Sequence, residues 1–316
     1  MTHVPRFLAI VSMVCTLLLA SVAVATAAAQ GMDVSFSEVK LRALGFPEIN
    51  ITVGPDGVDA PSEIAAGFYL VTVHPTEEFS VYLDVMQPPA GLSSEEATDL
   101  ALQAAANDLA QPGWGYLGGT NTFEVGVPVT FAMHFAPGEY VFAASYYAME
   151  QGSEEIMKLV PLTVTDGATP VATPATPMAS PVASAPVADV TLEMTDDMRY
   201  IVSPDPLTAG PQLWEVTNTG TEQAHHVVMQ RIPEGVTADD IVTEYTSLFS
   251  GTPPAGEPLV AQFTYVGYVA LQSGGVTTWQ GFDLEPGTYA VTCFIIDPHT
   301  GVPHLLSGMV TTFTVE

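Results

Sequence analysis

The sequence predicts an all-β protein made of two similar β-sandwich halves, each with one short inserted helix, joined by a Pro/Thr/Ala-rich linker. Three observations carry this expectation. Short runs rich in Val, Thr, Tyr and Phe recur along the chain, broken by Gly and Pro, as half-buried strands and tight turns require. Residues 166–188 repeat Ala168-Thr-Pro, Ala172-Thr-Pro and Ala175-Thr-Pro with no charge between Asp166 and Asp189, so this stretch cannot bury a core. The flanks share blocks of sequence: Pro137-Gly138-Glu-Tyr140 aligns with Pro286-Gly287-Thr-Tyr289, and Ala66-Gly67 aligns with Ala209-Gly210.

Taken in order, residues 1–29 read as a secretory signal. Arg6 precedes an apolar run from Phe7 to Ala23, and Ala27-Ala28-Ala29 offers small residues for cleavage before Gln30. Left uncleaved, the run from Phe7 to Ala29 is long enough to anchor the chain in a bilayer. Either way the protein is expected to be secreted, periplasmic or at the cell surface. Residues 30–165 form the first half, 166–188 the linker and 189–316 the second half. In each half a Ser/Thr-x-x-acid signal opens an amphipathic helix, at Ser93-Ser-Glu-Glu96 and at Thr237-Ala-Asp-Asp240. The halves read as a domain duplication.

Charge excludes some partners. The chain has 35 Asp and Glu against 6 Lys and Arg. Nucleic-acid binding rests on neutralising phosphates with cations, so no nucleic-acid partner is expected. A protein partner steered by this field would be basic.

The candidate chemistry sits in the second half. Cys15 leaves with the leader, so Cys293 is the single cysteine of the processed chain, and a secreted protein usually pairs its cysteines. His299, His304 and Met309 follow it closely, and His225-His226 lies upstream. Period-two parity places Cys293 on one face with Tyr289 and Val291, Met309 with Phe313 and Val315, and His225 with Val227 and Met229. A thiolate, two imidazoles and a thioether form a soft donor set suited to copper. In the first half Ala144 stands where Cys293 would be, so any metal belongs to the second half alone. His74 and His134 stand apart there, and Trp114, Trp214 and Trp279 read as core or edge aromatics.

Residues 189–316 resemble the cupredoxin family of blue-copper proteins. The resemblance is carried by Trp214-Glu-Val-Thr-Asn218, by His225-His226-Val227-Val228, by Gly287-x-Tyr289-x-x-x-Cys293, and by His304 followed four residues later by Gly308-Met309. Residues 30–165 resemble a degenerate, metal-free copy. The resemblance implies two cupredoxin-like Greek-key sandwiches and one type 1 copper site of His225, Cys293, His304 and Met309, with His226 and His299 as alternates. Ten residues separate Cys293 from His304, a longer loop than in most single-domain relatives, which leaves His299 open as a competing ligand. The apolar residues Val302, Pro303, Leu305 and Leu306 around His304 would then form a solvent-edge port for outer-sphere electron transfer to a redox protein partner. No position remains open for substrate, so the expectation is an electron carrier and not an enzyme. Two alternatives stay beside it: a copper-binding or sequestering protein, and a metal-free cupredoxin-like surface protein that binds partners. A multicopper oxidase would need His-x-His pairs, which the chain lacks.

Overall fold

Alternation of buried and exposed side chains marks strand after strand in the computed structural model. It describes residues 36–54, 56–76, 80–92, 94–105, 109–122, 126–147, 155–166, 185–251 and 256–316. The proposed leader (1–29) and most of the proposed linker (167–184) lie outside the described residues. In chain order the first half contains α1 (Phe36–Arg42), β1 (Glu48–Gly54), β2 (Gly57–Asp59), β3 (Glu63–Ala65), β4 (Gly67–Pro75) and β5 (Ser80–Gln87). It continues with α2 (Ser94–Ala105), β6 (Gly115–Asn121), β7 (Val129–Phe135), β8 (Gly138–Tyr147) and β9 (Glu155–Thr165). The second half contains β10 (Val190–Thr195), β11 (Arg199–Ser203), β12 (Gly210–Asn218), β13 (His225–Ile232) and α3 (Ala238–Phe249). It closes with β14 (Thr264–Gln272), β15 (Thr277–Leu284), β16 (Gly287–Thr292) and β17 (Val310–Val315).

These strands do not form the two separate Greek-key sandwiches expected from the sequence. They form two mixed sheets, each continuous through both halves, and the chain winds repeatedly from one sheet to the other. One sheet has eight strands in the order β11-β10-β12-β15-β7-β4-β1-β2, the other nine in the order β17-β16-β13-β14-β6-β5-β8-β9-β3. Parallel pairs β1–β4, β10–β12 and β3–β9 interrupt the antiparallel pattern. The halves join where β15 pairs with β7, Trp279 opposite Ala132, and where β14 meets β6 through Gln272 and Leu117. The physical reason is edge satisfaction: strands that would present bare N–H and C=O groups at the rim of a separate unit find main-chain partners across the junction.

Glycine makes the junction possible. A Cβ on Gly118 would meet the Thr278 methyl of the second half at 2.7 Å. One on Gly119, whose φ is +152°, would meet the Ala270 methyl across the junction at 3.1 Å as well as the Leu83 carbonyl oxygen of its own half at 1.9 Å. Gln280 Nε2 also donates to the Gly119 carbonyl at 2.7 Å. On the outer face of the eight-stranded sheet, α1 lies across the junction. Leu41 packs with Leu70 and Ala132 of the first half and with Leu213 and Trp279 of the second. Lys40 Nζ reaches the Asp189 carboxylate at 2.6 Å.

The apolar interior separates into clusters. Ile51, Val71, Leu83, Phe142 and Leu162 are buried together in the first half. A second cluster joins Leu192, Trp214, Val227 and Val291 to Trp114, Tyr116 and Ala101 of the first half. The shared sequence blocks place matching tyrosines: Tyr140 donates its hydroxyl to the Ala136 carbonyl and Tyr289 to that of Glu285, each at 2.8 Å. Helix α3 starts on a reciprocal cap, with Thr237 Oγ1 accepting from Asp240 N–H and the Asp240 carboxylate accepting from Thr237 N–H. Its buried face, Ile241 and Tyr245, packs with Ile232, Ala290, Leu305 and Val310.

Candidate metal centre

Three ligand-type side chains converge at one end of the second half. His225 opens β13, Cys293 follows β16, and His304 begins a 3-10 turn over His304–Ser307. Their donor atoms all lie within 4.8 Å of one another. His225 Nδ1 stands 3.0 Å from His304 Nδ1, and Cys293 Sγ stands 3.5 Å from that same nitrogen. All three residues are out of solvent, at 0%, 0% and 1% exposure for His225, Cys293 and His304.

Local backbone chemistry sets each side chain. Ahead of His225, the Asp196 carboxylate accepts the N–H groups of Thr221 and Glu222 at 2.8 and 3.0 Å. Asn218 Nδ2 donates to the carbonyls of Gln223 and Gln272, each at 2.8 Å. Because adjacent strand residues face opposite sides, His226 turns away from the cluster. Its Nε2 instead accepts the N–H of Phe294 at 2.8 Å, which ties the residue after Cys293 to β13.

The long Cys–His connection is taken up by a knotted turn. Asp297 N–H donates to the Val302 carbonyl at 3.0 Å, Gly301 N–H to the Asp297 carbonyl at 2.8 Å, and Asp297 Oδ1 accepts from His299 N–H at 2.7 Å. His299 therefore sits exposed at the tip, away from the cluster. After the turn, His304 N–H donates to the Ile295 carbonyl at 2.8 Å and Leu305 N–H to that of Cys293 at 2.7 Å, which points the imidazole inward. Gly308, at φ +102°, ends the 3-10 turn, and Met309 follows, fully buried in the apolar cluster that also holds Cys293.

Electrostatics favour neutral donors. Burial is the chief cause of every shift. It holds His225 at about 4, with help from the neighbouring His304, and His304 at about 4 against an opposing pull from Asp297. It holds His226 at about 3. The Cys293 thiol is pushed up to about 11, although N–H groups of His226 and Ile295 and the Tyr200 hydroxyl favour the thiolate. Tyr200 escaped the sequence reading. It comes from β11 on the other sheet, is fully buried, and donates to the His226 carbonyl. No sequence spacing links it to Cys293, and only its Tyr-Ile-Val strand context hinted at burial.

The donor set fits a metal ion. Metal–nitrogen bonds of about 2.0–2.1 Å and metal–sulfur bonds of about 2.3 Å put ligand atoms on one ion roughly 3–4 Å apart. His304 Nδ1 stands at that spacing from both His225 Nδ1 and Cys293 Sγ, and the remaining pair lies within 4.8 Å. Ligation through Nδ1 places each remaining imidazole proton on Nε2, and both Nε2 atoms are buried without a hydrogen-bond partner among the described residues. This buried His225/Cys293/His304 cluster has the capacity to hold a metal ion.

No protein-family model matches the chain, and no curated protein matches it. Among solved structures it is similar to dithionite-reduced auracyanin from Roseiflexus castenholzii, at 21% identity and TM-score 0.26, covering 40% of this chain and 94% of that one. It is also similar to auracyanin A, a blue copper protein from Chloroflexus aurantiacus, at 17% identity and TM-score 0.26, covering 40% and 98%. A copper-containing nitrite reductase from Thermus scotoductus gives 8% identity and TM-score 0.22, covering 85% and 61%. Likenesses at these scores carry no argument about family or chemistry.

Two expectations are corrected here. The cupredoxin resemblance drawn from sequence motifs does not extend to this architecture, in which mixed sheets run through both halves. The type 1 copper electron carrier that it implied falls with it, because it needed a self-contained sandwich and a histidine at the solvent edge. His304 is buried, Pro303 and Leu305 are buried beside it, Leu306 is half-buried, and Val302 is the one exposed member of the expected collar.

Proposed function

We propose that this protein binds one soft transition-metal ion, copper, through Cys293, His225 and His304. The observation that supports the reading is the convergence of a thiol and two neutral imidazoles within 4.8 Å of one another in a site closed to water. Thiolate with imidazole favours copper over the hard, oxygen-seeking cations. Met309 is buried nearby as a thioether in reserve. Binding, and not turnover, is the activity proposed, since the donors are enclosed by protein on every side. The ion would supply a strong bond to the thiolate and hold β13, β16 and the 293–309 loop together.

Titration of metal-free full chain with Cu(II) tests this, read by metal analysis and visible absorption. The expected result is one equivalent of tightly held copper with a thiolate charge-transfer band that Cys293→Ser abolishes. A folded protein that retains no copper after desalting sinks the reading. Copper retained equally by Cys293→Ser does the same.

A further inference from the structure

Among the described residues of the first half no cluster of metal-ligand side chains is found, yet one of its segments is bonded to the cysteine-bearing loop and to the strand beside His225. Leu109, held to the end of α2 by its N–H to the Ala104 carbonyl at 3.1 Å, forms a parallel bridge with Ile296, three residues beyond Cys293. Eight residues on, Leu117 pairs with Gln272, which is itself the cross-strand partner of His225. Tyr116 reinforces that second anchor: its N–H donates to Ser273 Oγ at 2.9 Å and its carbonyl accepts from Ser273 N–H at 2.8 Å. Between the anchors the segment folds on itself, the Gln111 N–H donating to the Tyr116 hydroxyl at 2.7 Å. Trp114 and Tyr116 are buried in the apolar cluster that contains Cys293, Ile295 and Met309. The segment thus runs from the Cys293 loop to the strand that pairs with His225, and His225, Cys293 and His304 are all sealed from water.

We propose that the 109–117 segment of the first half is the cover of the metal site, controlling how fast solutes and ions reach Cys293. This gives the metal-free half a role, access control, and it rests on the metal reading above only for the identity of what is kept in. Opening requires the anchors at Ile296 and Gln272 to part, so the cover belongs to the slow, locally unfolding motions of the molecule.

The test reads the thiol directly and needs no metal. Full-chain protein is treated with an alkylating reagent, and modification of Cys293 is timed by peptide mass spectrometry in wild type, Leu109→Gly, Tyr116→Phe and Tyr140→Phe. Tyr116→Phe keeps the ring and removes only the tether to Gln111. Tyr140→Phe loosens the first half at a different tyrosine, away from the segment. The expected result is alkylation at least tenfold faster in Leu109→Gly and Tyr116→Phe, with Tyr140→Phe at the wild-type rate. Wild-type rates in both segment variants overturn the cover, as does equal acceleration in all three. Copper release to a chelator should follow the same order. Wild type that takes up no copper would defeat the proposed function while leaving the alkylation result to decide the cover.

Discussion

Three imidazoles buried without charge make the metal-free protein sensitive to mild acid. His225, His226 and His304 are held at about 4, 3 and 4 by burial, whereas in the unfolded chain each titrates near 6.5. Below about pH 6.5 the unfolded state binds protons that the folded state refuses. Their contribution to stability is therefore full above pH 6.5 and is lost as pH falls toward 4. Urea midpoints measured without metal should drop steadily from pH 7 to pH 4.5, and a flat profile there would contradict neutral buried imidazoles. His226 gives a second expectation. Its Nε2 fixes the backbone beside Cys293 without joining the cluster, so His226→Ala should weaken copper binding by about 10–100-fold while leaving the stoichiometry at one. At this scale the sequence was partly legible. The inward face shared by Cys293 and its strand neighbours follows from period two, but the choice between His304 and His299 depends on the Asp297 side chain folding the loop tip, which no spacing reveals.

At the scale of elements, helix α3 is the support of the metal loop. Its Tyr245 ring meets the Phe294 ring edge-on at 5.1 Å, and Phe294 is the residue whose N–H binds His226. The helix begins where Thr237 and Asp240 satisfy each other's backbone N–H groups. Thr237→Ala should therefore cost about 1 kcal/mol in denaturant unfolding, and a loss below a few tenths would show the cap to be idle. The start of this helix was readable because a cap is local: four consecutive residues contain the whole signal. Strand pairing is not local. Leu117 and Gln272 are far apart in sequence, and nothing in the composition of β6 or β14 distinguishes an edge strand from one that meets the opposite half. Tyr200 stayed hidden for the same reason, since it reaches Cys293 across the interior from the other sheet.

For the molecule as a whole, the shared sheets replace two expected units with one. The junction combines the β7–β15 and β6–β14 pairings with the α1 clamp and a close approach at Gly118 and Gly119 that leaves no space for a side chain. Scanning calorimetry should then show a single unfolding transition whose calorimetric and van't Hoff enthalpies agree. Two separate transitions would mean that the halves unfold independently despite their common sheets. The repeated sequence blocks suggested a duplication, and the proline-rich break between them suggested independence. A break in sequence says where the chain is free of a core and says nothing about whether the flanks dock. The α1 clamp has one more consequence, for the growing chain. Leu41 lies against Leu213 and Trp279, so this helix has no finished seat until residues beyond 279 have been made. At roughly 5–20 residues per second that wait is on the order of ten to fifty seconds. During it Leu41 and Phe68 lack their apolar neighbours from the second half, Leu213 and Trp279, and a nascent chain of this protein is a client for any factor that shields such surface until translation ends.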